Sequence, residues 1–458
     1  METLQRTANR GSISTGYDID NSVKLEPDNT EMLYTGSLTA GNRRTWTISM
    51  WVKRTELSYE SAFMYSQGTY GNIRFFTDDK IVIENHNLYL ITNRVFRDTS
   101  AWYHVVWVND STQSTASNRS KLYINGVQET SFSTETYMSQ NEEGNVNSTS
   151  GTYIGRRSNE VKHFAGYIAD VYKVDGQALA PTDFGEFDED SGIWKPKAYT
   201  GGSYSTQGFH LDFSDSSDLG NDSSGENNDF LLQNITAADQ ATDTPTNNFC
   251  IMSPLWNYAN DCVISDGGSY IDGSAAAWNG AKATFGLTAG KWYWEIKQLG
   301  SGGTFMGLQT DGEDNISSGN AQSQNTSVVF YTDGTLQYSG GSESTTSASN
   351  SITTNSIVGF ALDLDSGTQT IKIYLDGSLI TTFGSSGTCN LSTYNIEDTT
   401  VFPFVAIYEN TVNMNFGGYT RSSISSAAAD ANGYGTFEYA PPSGYYALCT
   451  KNLSEFGG

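Results

Sequence analysis

The stretch Lys121 to Phe132 reads KLYINGVQETSF, and Lys372 to Phe383 reads KIYLDGSLITTF. Lysine, tyrosine, Asn/Asp-Gly, threonine and phenylalanine occupy the same slots in both, with aliphatic residues between them. Each copy is an alternating apolar/polar strand that runs into a tight turn. Asn125-Gly126 and Asp376-Gly377 supply two residues able to take positive φ, as a type I′ hairpin turn requires. Leu122 and Ile124 share one strand face, as do Ile373 and Leu375, which leaves Lys121, Tyr123, Lys372 and Tyr374 on the other. Two hairpins built to one recipe predict two β-domains of related architecture.

The chain has 458 residues, too many for one core and enough for two sandwiches. Its 46 Gly against 8 Pro, with abundant Ser, Thr and Asn, describe strands joined by many turns, and 27 Tyr, 22 Phe and 9 Trp supply the large apolar contacts. No helix longer than a turn or two is expected.

Charge is uneven. Residues 1–197 hold 19 basic and 25 acidic side chains, whereas residues 198–458 hold 6 and 26. A surface this acidic repels phosphate backbones and anionic lipid, so neither nucleic acid nor membrane insertion is expected. No run approaches the length of a membrane span, and the opening METLQRTANRGSIST lacks the apolar centre of a secretory signal. The four cysteines have no Cys-x-x-Cys spacing and read as reduced packing residues.

The order of landmarks gives residues 1–20 as a polar arm, 21–186 as a first sandwich, 187–248 as a structured acidic connector, 249–418 as a second sandwich and 419–458 as a closing segment. In the first sandwich, Thr47-Ile48-Ser49-Met50-Trp51-Val52-Lys53, then Trp102-Tyr103-His104-Val105, Leu122-Tyr123-Ile124-Asn125-Gly126 and Gly166-Tyr167-Ile168-Ala169 follow one another. This series resembles the laminin G-like, concanavalin A-like jelly roll. The second, with GKWYWEIKQL from Gly290, GFALDLDSGTQTIKIYLDG from Gly359 and VFPFVAIYENTVNMNFG from Val401, resembles a SPRY sandwich. The resemblance implies an all-β chain of two concanavalin A-like jelly-roll β-sandwiches in tandem. It implies sugar, protein or calcium binding, or glycan hydrolysis, without choosing among them.

GFHLDFSDSSDLGNDSSGENNDF from Gly208, DTPTNNF from Asp243 and the closing PPSGYYALCTKNL are similar to recurring segments of tailed-bacteriophage virion proteins of the fibre or appendage type. That resemblance implies a virion location, other virion proteins as partners, a homo-oligomer and attachment to host surface glycan. Capsid decoration without a ligand is the alternative, and a secreted glycan hydrolase is third.

Chemistry-bearing motifs are sparse. A retaining glucanase sets two carboxylates on one strand face, but Glu186-Phe187-Asp188-Glu189-Asp190-Ser191 has serine where the second glutamate belongs, so no catalytic residues and no enzyme are expected. The four histidines are scattered, and His104 reads as a packing residue. No cofactor is expected, apart from calcium at a turn rich in oxygen ligands: Asp311, Glu313, Asp314 and Asn315. Sugar recognition needs aromatic rings beside amide or carboxylate groups. Tyr59, Tyr65, Tyr70 and Asn72 offer these in the first sandwich, and Tyr270, Asp272, Trp278 and Asn279 in the second.

Overall fold

A computed structural model describes residues 16–66, 71–157, 162–258, 262–273, 277–311, 327–338, 341–344, 351–394 and 396–457. The chain is all-β apart from short turns of 3-10 helix and one helix, Thr450–Phe456, among the described residues. Among the described residues no helix is long and apolar enough to cross a membrane. Its described residues divide into two compact units, one of residues up to Asn247 and the other from Asn248 onward.

The first unit is a sandwich of two eight-stranded sheets. One sheet runs in the order Val127–Gln128, Ser120–Ile124, Tyr103–Asp110, Thr45–Arg54, Gly166–Asp175, Ser22–Leu25 and Gln240–Ala241, with Phe209–Leu211 also paired to Gly166–Asp175. The other runs Phe132–Thr136, Leu88–Val95, Lys80–Asn85, Gly71–Phe75, Ser61–Ser66, Thr152–Ile154, Met32–Tyr34 and Leu231–Gln233. Alternation sends Trp46, Ile48, Met50 and Val52 inward, where they meet Ile73, Phe75, Ile81 and Ile83 of the opposite sheet. Residues 187–247 give three strands to these sheets, Phe209–Leu211, Leu231–Gln233 and Gln240–Ala241, so this stretch is woven into the first sandwich.

The second unit pairs a seven-stranded sheet with a nine-stranded one. The seven-stranded sheet runs Met252–Tyr258, Asn279–Ala283, Val401–Tyr408, Gly303–Thr310, Ser327–Tyr331, Thr335–Tyr338 and Gly341–Ser344. The main path of the other runs Val263–Ser265, Tyr270–Gly273, Asn410–Asn415, Lys291–Gln298, Ile357–Asp363, Thr370–Leu375 and Ser378–Leu379. Trp292, Trp294 and Ile296 point into its core with Phe360, Leu362, Ile371 and Ile373. Residues 419–458 stay with this unit, and Tyr446–Ala447 pairs in parallel with Lys291–Gln298.

Both predicted hairpins are present. Asn125 and Gly126 have φ of 50° and 76°, and Asp376 and Gly377 have 47° and 77°, the signature of a type I′ turn. Each turn is also tied to the neighbouring strand. Asn125 Oδ1 accepts from the His104 N–H at 2.8 Å, and Asp376 Oδ1 accepts from the Ile357 N–H at 2.8 Å. Each glycine seats a ring: a Cβ would lie 2.4 Å from Trp194 at Gly126 and 2.5 Å from Tyr439 at Gly377.

Those rings belong to coverings laid over one outer sheet face in each unit. In the first, Trp194 donates from Nε1 to His104 Nδ1 at 2.9 Å, and His104 Nε2 meets Ser49 Oγ at 2.8 Å. Trp51 stacks on His104 at 4.6 Å. Tyr172, Val174 and Phe184 form a further buried cluster with Leu179, Tyr199 and Tyr204. In the second, Phe249, Tyr293, Phe437, Tyr445 and Ala447 pack together, and Glu295 accepts from the Glu438 and Tyr439 N–H groups at 2.9 and 2.8 Å.

Candidate functional site

The outer faces of the other sheets hold the candidate sites. On the second sheet of the first unit, strand register lines up one residue from every strand. Thr136 faces Tyr89, Tyr89 faces Glu84, Glu84 faces Asn72, and Asn72 faces Tyr65. Tyr65 faces Tyr153, Tyr153 faces Tyr34, and Tyr34 faces Leu231. Their strand neighbours Leu33, Met64, Ile73, Ile83, Leu90 and Ile154 fill the core, so the row lies on the outer face. Strands spaced about 4.8 Å apart carry it roughly 29 Å from Tyr89 to Leu231.

The row has an aromatic part and a polar part. Tyr34 and Tyr153 stack at 6.0 Å and 26°, and Tyr153 and Tyr65 lie at 6.2 Å and 37°. Tyr34 and Tyr153 are half-buried, so parts of both rings are open to solvent. Beside them, Asn72 Nδ2 donates to Glu84 Oε2 at 2.8 Å and Arg74 Nη1 donates to the same oxygen at 2.6 Å. Arg74 also donates to Asn72 Oδ1. Glu60 is held by Arg74 at 3.0 Å, Arg157 at 2.9 Å and Lys162 at 3.6 Å. Asn72 and Arg74 are only 1% and 2% exposed although they point away from the core, so this polar step is recessed.

This geometry sets partly open flat rings beside a recessed polar step whose groups bond to one another. Both carboxylates are engaged by guanidinium groups, an arrangement that fixes them as acceptors and positions no free acid. In the string Glu186 to Ser191 the first two residues end the strand Gly185–Phe187 and the rest turns back: Asp188 Oδ1 accepts from the Asp190 N–H, the Ser191 N–H and the Ser191 hydroxyl. These bonds and Lys195 at 3.2 Å pull the Asp188 carboxyl down to about 2.

Of the residues singled out from the sequence, Tyr65 and Asn72 are direct cross-strand partners in this row. Tyr59 is half-buried outside it, in the connection before Ser61–Ser66, where burial and then Glu56 push its hydroxyl pKa up. Tyr70 lies outside the described residues. Sequence reasoning did not pick out Tyr34, Glu84, Arg74, Tyr89, Tyr153 and Arg157. A signal was present for two of them: in MLY and TYI the tyrosines alternate with the core residues Leu33 and Ile154.

In the second unit the four residues separate. Tyr270 and Asp272 point outward from the nine-stranded sheet, either side of the core residue Ile271, and Arg421 lies 4.3 Å from the Tyr270 ring. Trp278 lies on the outer face of the seven-stranded sheet with Phe305 and Tyr331, and Asn279 is fully buried. For the calcium turn, Asp311 is described, while Glu313, Asp314 and Asn315 lie outside the described residues. Among the described residues no group of three or more His, Cys, Asp or Glu side chains could hold a metal ion.

Residues 26–182 match a protein-family profile described as the concanavalin A-like lectin/glucanases superfamily, of laminin G type. No curated protein matches the chain. Solved structures similar to it include the SPRY domain of human HERC1, at 16% identity over 36% of this chain and 96% of that one, with a TM-score of 0.29. A putative carbohydrate binding protein from Bacteroides ovatus matches at 15% identity over 36% of this chain and 46% of that one, with a TM-score of 0.27. The heptameric SAP-like pentraxin from Limulus polyphemus matches at 16% identity over 36% and 80%, also with a TM-score of 0.27. The family profile covers most strands of the two sheets that frame the tyrosine row but not Ser22–Leu25, Phe209–Leu211, Leu231–Gln233 or Gln240–Ala241, and the fold of the first unit is concanavalin A-like.

Proposed function

We propose that the protein is a non-enzymatic glycan-binding protein of a virion surface, of the tail fibre or appendage type, and that it attaches to host surface glycan through the outer face of the first sandwich. The observation that carries the reading is the row Tyr89-Glu84-Asn72-Tyr65-Tyr153-Tyr34-Leu231, in register across the sheet. A linear glycan laid along it meets the half-buried rings of Tyr34, Tyr153 and Tyr89, against which the C–H faces of sugars pack, while the buried Asn72, Arg74 and Glu84 bond to one another and hold the strands beneath in place. Tyr153 and Tyr34 sit on neighbouring strands, a spacing close to the length of one pyranose residue, so two successive sugars would meet these two rings. The lectin and glucanase membership of the matching family supports the ligand class. The guanidinium-bound carboxylates support binding without cleavage.

A glycan array with the full chain, followed by calorimetric titration of the best oligosaccharide, tests this. Tyr153→Ala should weaken binding at least about tenfold, as removal of a central aromatic anchor does, with the melting temperature kept. Unchanged affinity would remove the row from the ligand. No reducing sugar should appear on prolonged incubation. Locating the protein in a particle map tests the virion assignment: a fibre or tail position agrees with attachment, while a capsid face together with an empty array supports decoration.

A further inference from the structure

The seven-stranded sheet of the second unit carries a second aromatic face, built differently. Trp278, just before the strand Asn279–Ala283, lays its indole over Phe305 with centroids 4.7 Å apart. Phe305 stacks on Tyr331 at 4.5 Å, and Tyr408 lies 5.6 Å from the indole. The strands beneath set Gly280 against Ala406, Ala406 against Phe305 and Phe305 against Tyr331. Gly303 leaves room for this arrangement, since a Cβ there would lie 2.9 Å from the Trp278 ring and 3.3 Å from the Tyr331 hydroxyl.

Phe305, Val329, Phe404 and Ala406 are sealed, whereas Trp278, Tyr331 and Tyr408 remain half-buried. The outer skin of the cluster is therefore one indole and two phenols. Among the described residues neither phenol hydroxyl has a hydrogen-bond partner. Nothing in the cluster carries a charge, and its apolar interior is filled by its own rings, so it offers no pocket for an apolar peptide side chain. A flat ring flanked by unpaired hydroxyls suits a small neutral polyol with one C–H face.

We infer that Trp278, Tyr331 and Tyr408 form a second sugar platform that takes a single neutral pyranose ring, which makes the chain a two-site glycan binder. It shares the ligand class proposed for the first unit but none of its residues. Where the tyrosine row presents a strip suited to a chain of sugars, this platform presents one ring and favours a terminal residue. Two weak sites on one chain reinforce each other on a glycan-coated surface without any new contact.

The test titrates the full chain with glucose, galactose, mannose and N-acetylglucosamine, and with a linear hexasaccharide, following saturation-transfer NMR and tryptophan fluorescence. At least one monosaccharide should bind the wild type and lose at least about tenfold in affinity in Trp278→Leu, with Tyr153→Ala unchanged toward it. The Tyr331→Phe, Tyr408→Phe double variant keeps the packing and should weaken the same sugar three- to tenfold. If Trp278→Leu melts early, Trp278→Phe replaces it and should retain part of the binding. Wild-type monosaccharide affinity in the Trp278 and tyrosine variants, or no monosaccharide signal from the wild type, overturns the platform. Loss of hexasaccharide binding in Tyr153→Ala, with no monosaccharide bound by the wild type, would leave the first-unit reading standing while this one falls.

Discussion

Both units cover one sheet face with their own chain, and they key the covering with side chains of opposite character. The first uses His104, sandwiched between Trp51 and Trp194. The second uses Glu295, which gathers the Glu438 and Tyr439 N–H groups, the Tyr293 hydroxyl at 3.1 Å and Asn415 at 3.3 Å. The repeated hairpin explains why one recipe serves both. Its Asn or Asp caps the N–H of the adjacent strand, and its glycine leaves room for the covering ring. What is repeated is thus a docking point for a lid, and each unit chose its own key.

The largest expected break in this parallel is Trp194→Ala. It removes the ring over Gly126 and Gly185 and leaves His104 Nδ1 without its donor. Loss of a packed tryptophan costs about 3–5 kcal/mol. In a calorimetric scan of the full chain, unfolding of the first unit should move down strongly and that of the second should stay. An equal shift of both would show that the units do not unfold separately.

Next come Gly126→Val and Gly377→Val. A branched side chain meets strain at positive φ and drives a Cβ into Trp194 or Tyr439, so each should cost about 2–4 kcal/mol and each should lower only its own unit's transition. A wild-type melting profile in both would remove the role given to the hairpins.

How much of this was legible follows from range. The hairpins were readable because a type I′ turn is written in two adjacent residues and its strands in strict alternation. The coverings were not, because residues 187–206 and 428–449 have little periodicity of their own and take their shape from the face they meet. The tyrosine row was half legible. Tyr65 and Asn72 are seven positions apart in one hairpin, but Tyr153 reaches Tyr65 through a pairing 88 residues apart in sequence and Tyr34 reaches Tyr153 through one 119 residues apart, and no local pattern encodes such adjacency.

Acid sharpens the comparison, because all four histidines lie in the first unit. Burial holds the His104 pKa near 3, well below its ordinary 6.5. The unfolded chain takes up a proton below pH 6.5 while the folded one does not, so stability falls as pH drops toward 3, by about 1.4 kcal/mol per pH unit. His163, lowered mainly by burial, acts in the same direction. Glu295 has the opposite sign: burial raises its carboxyl pKa above the usual 4.5, so its contribution is present at low pH and is lost as pH rises through the folded value. Between pH 6.5 and 5 the first unit should therefore lose about 2 kcal/mol through His104 while the second holds or gains. His104→Gln should flatten the first unit's slope; an unchanged slope would assign it to other groups.

The smallest effect tests what the first turn residue contributes. Asn125 and Asp376 differ in charge, yet each accepts one backbone N–H through a side-chain oxygen at 2.8 Å. If the position requires only an acceptor that tolerates positive φ, exchanging the two types should be almost neutral, since amide and carboxylate both supply that oxygen and both residues visit the left-handed region. Asn125→Asp and Asp376→Asn should each stay within about 0.5 kcal/mol of the wild type, whereas Asn125→Ala and Asp376→Ala should each cost about 1 kcal/mol or more by leaving the His104 or Ile357 N–H unpaired. A large penalty for Asp376→Asn alone would mean that the second hairpin uses the charge itself, and the equivalence of the two lids would then stop at their geometry.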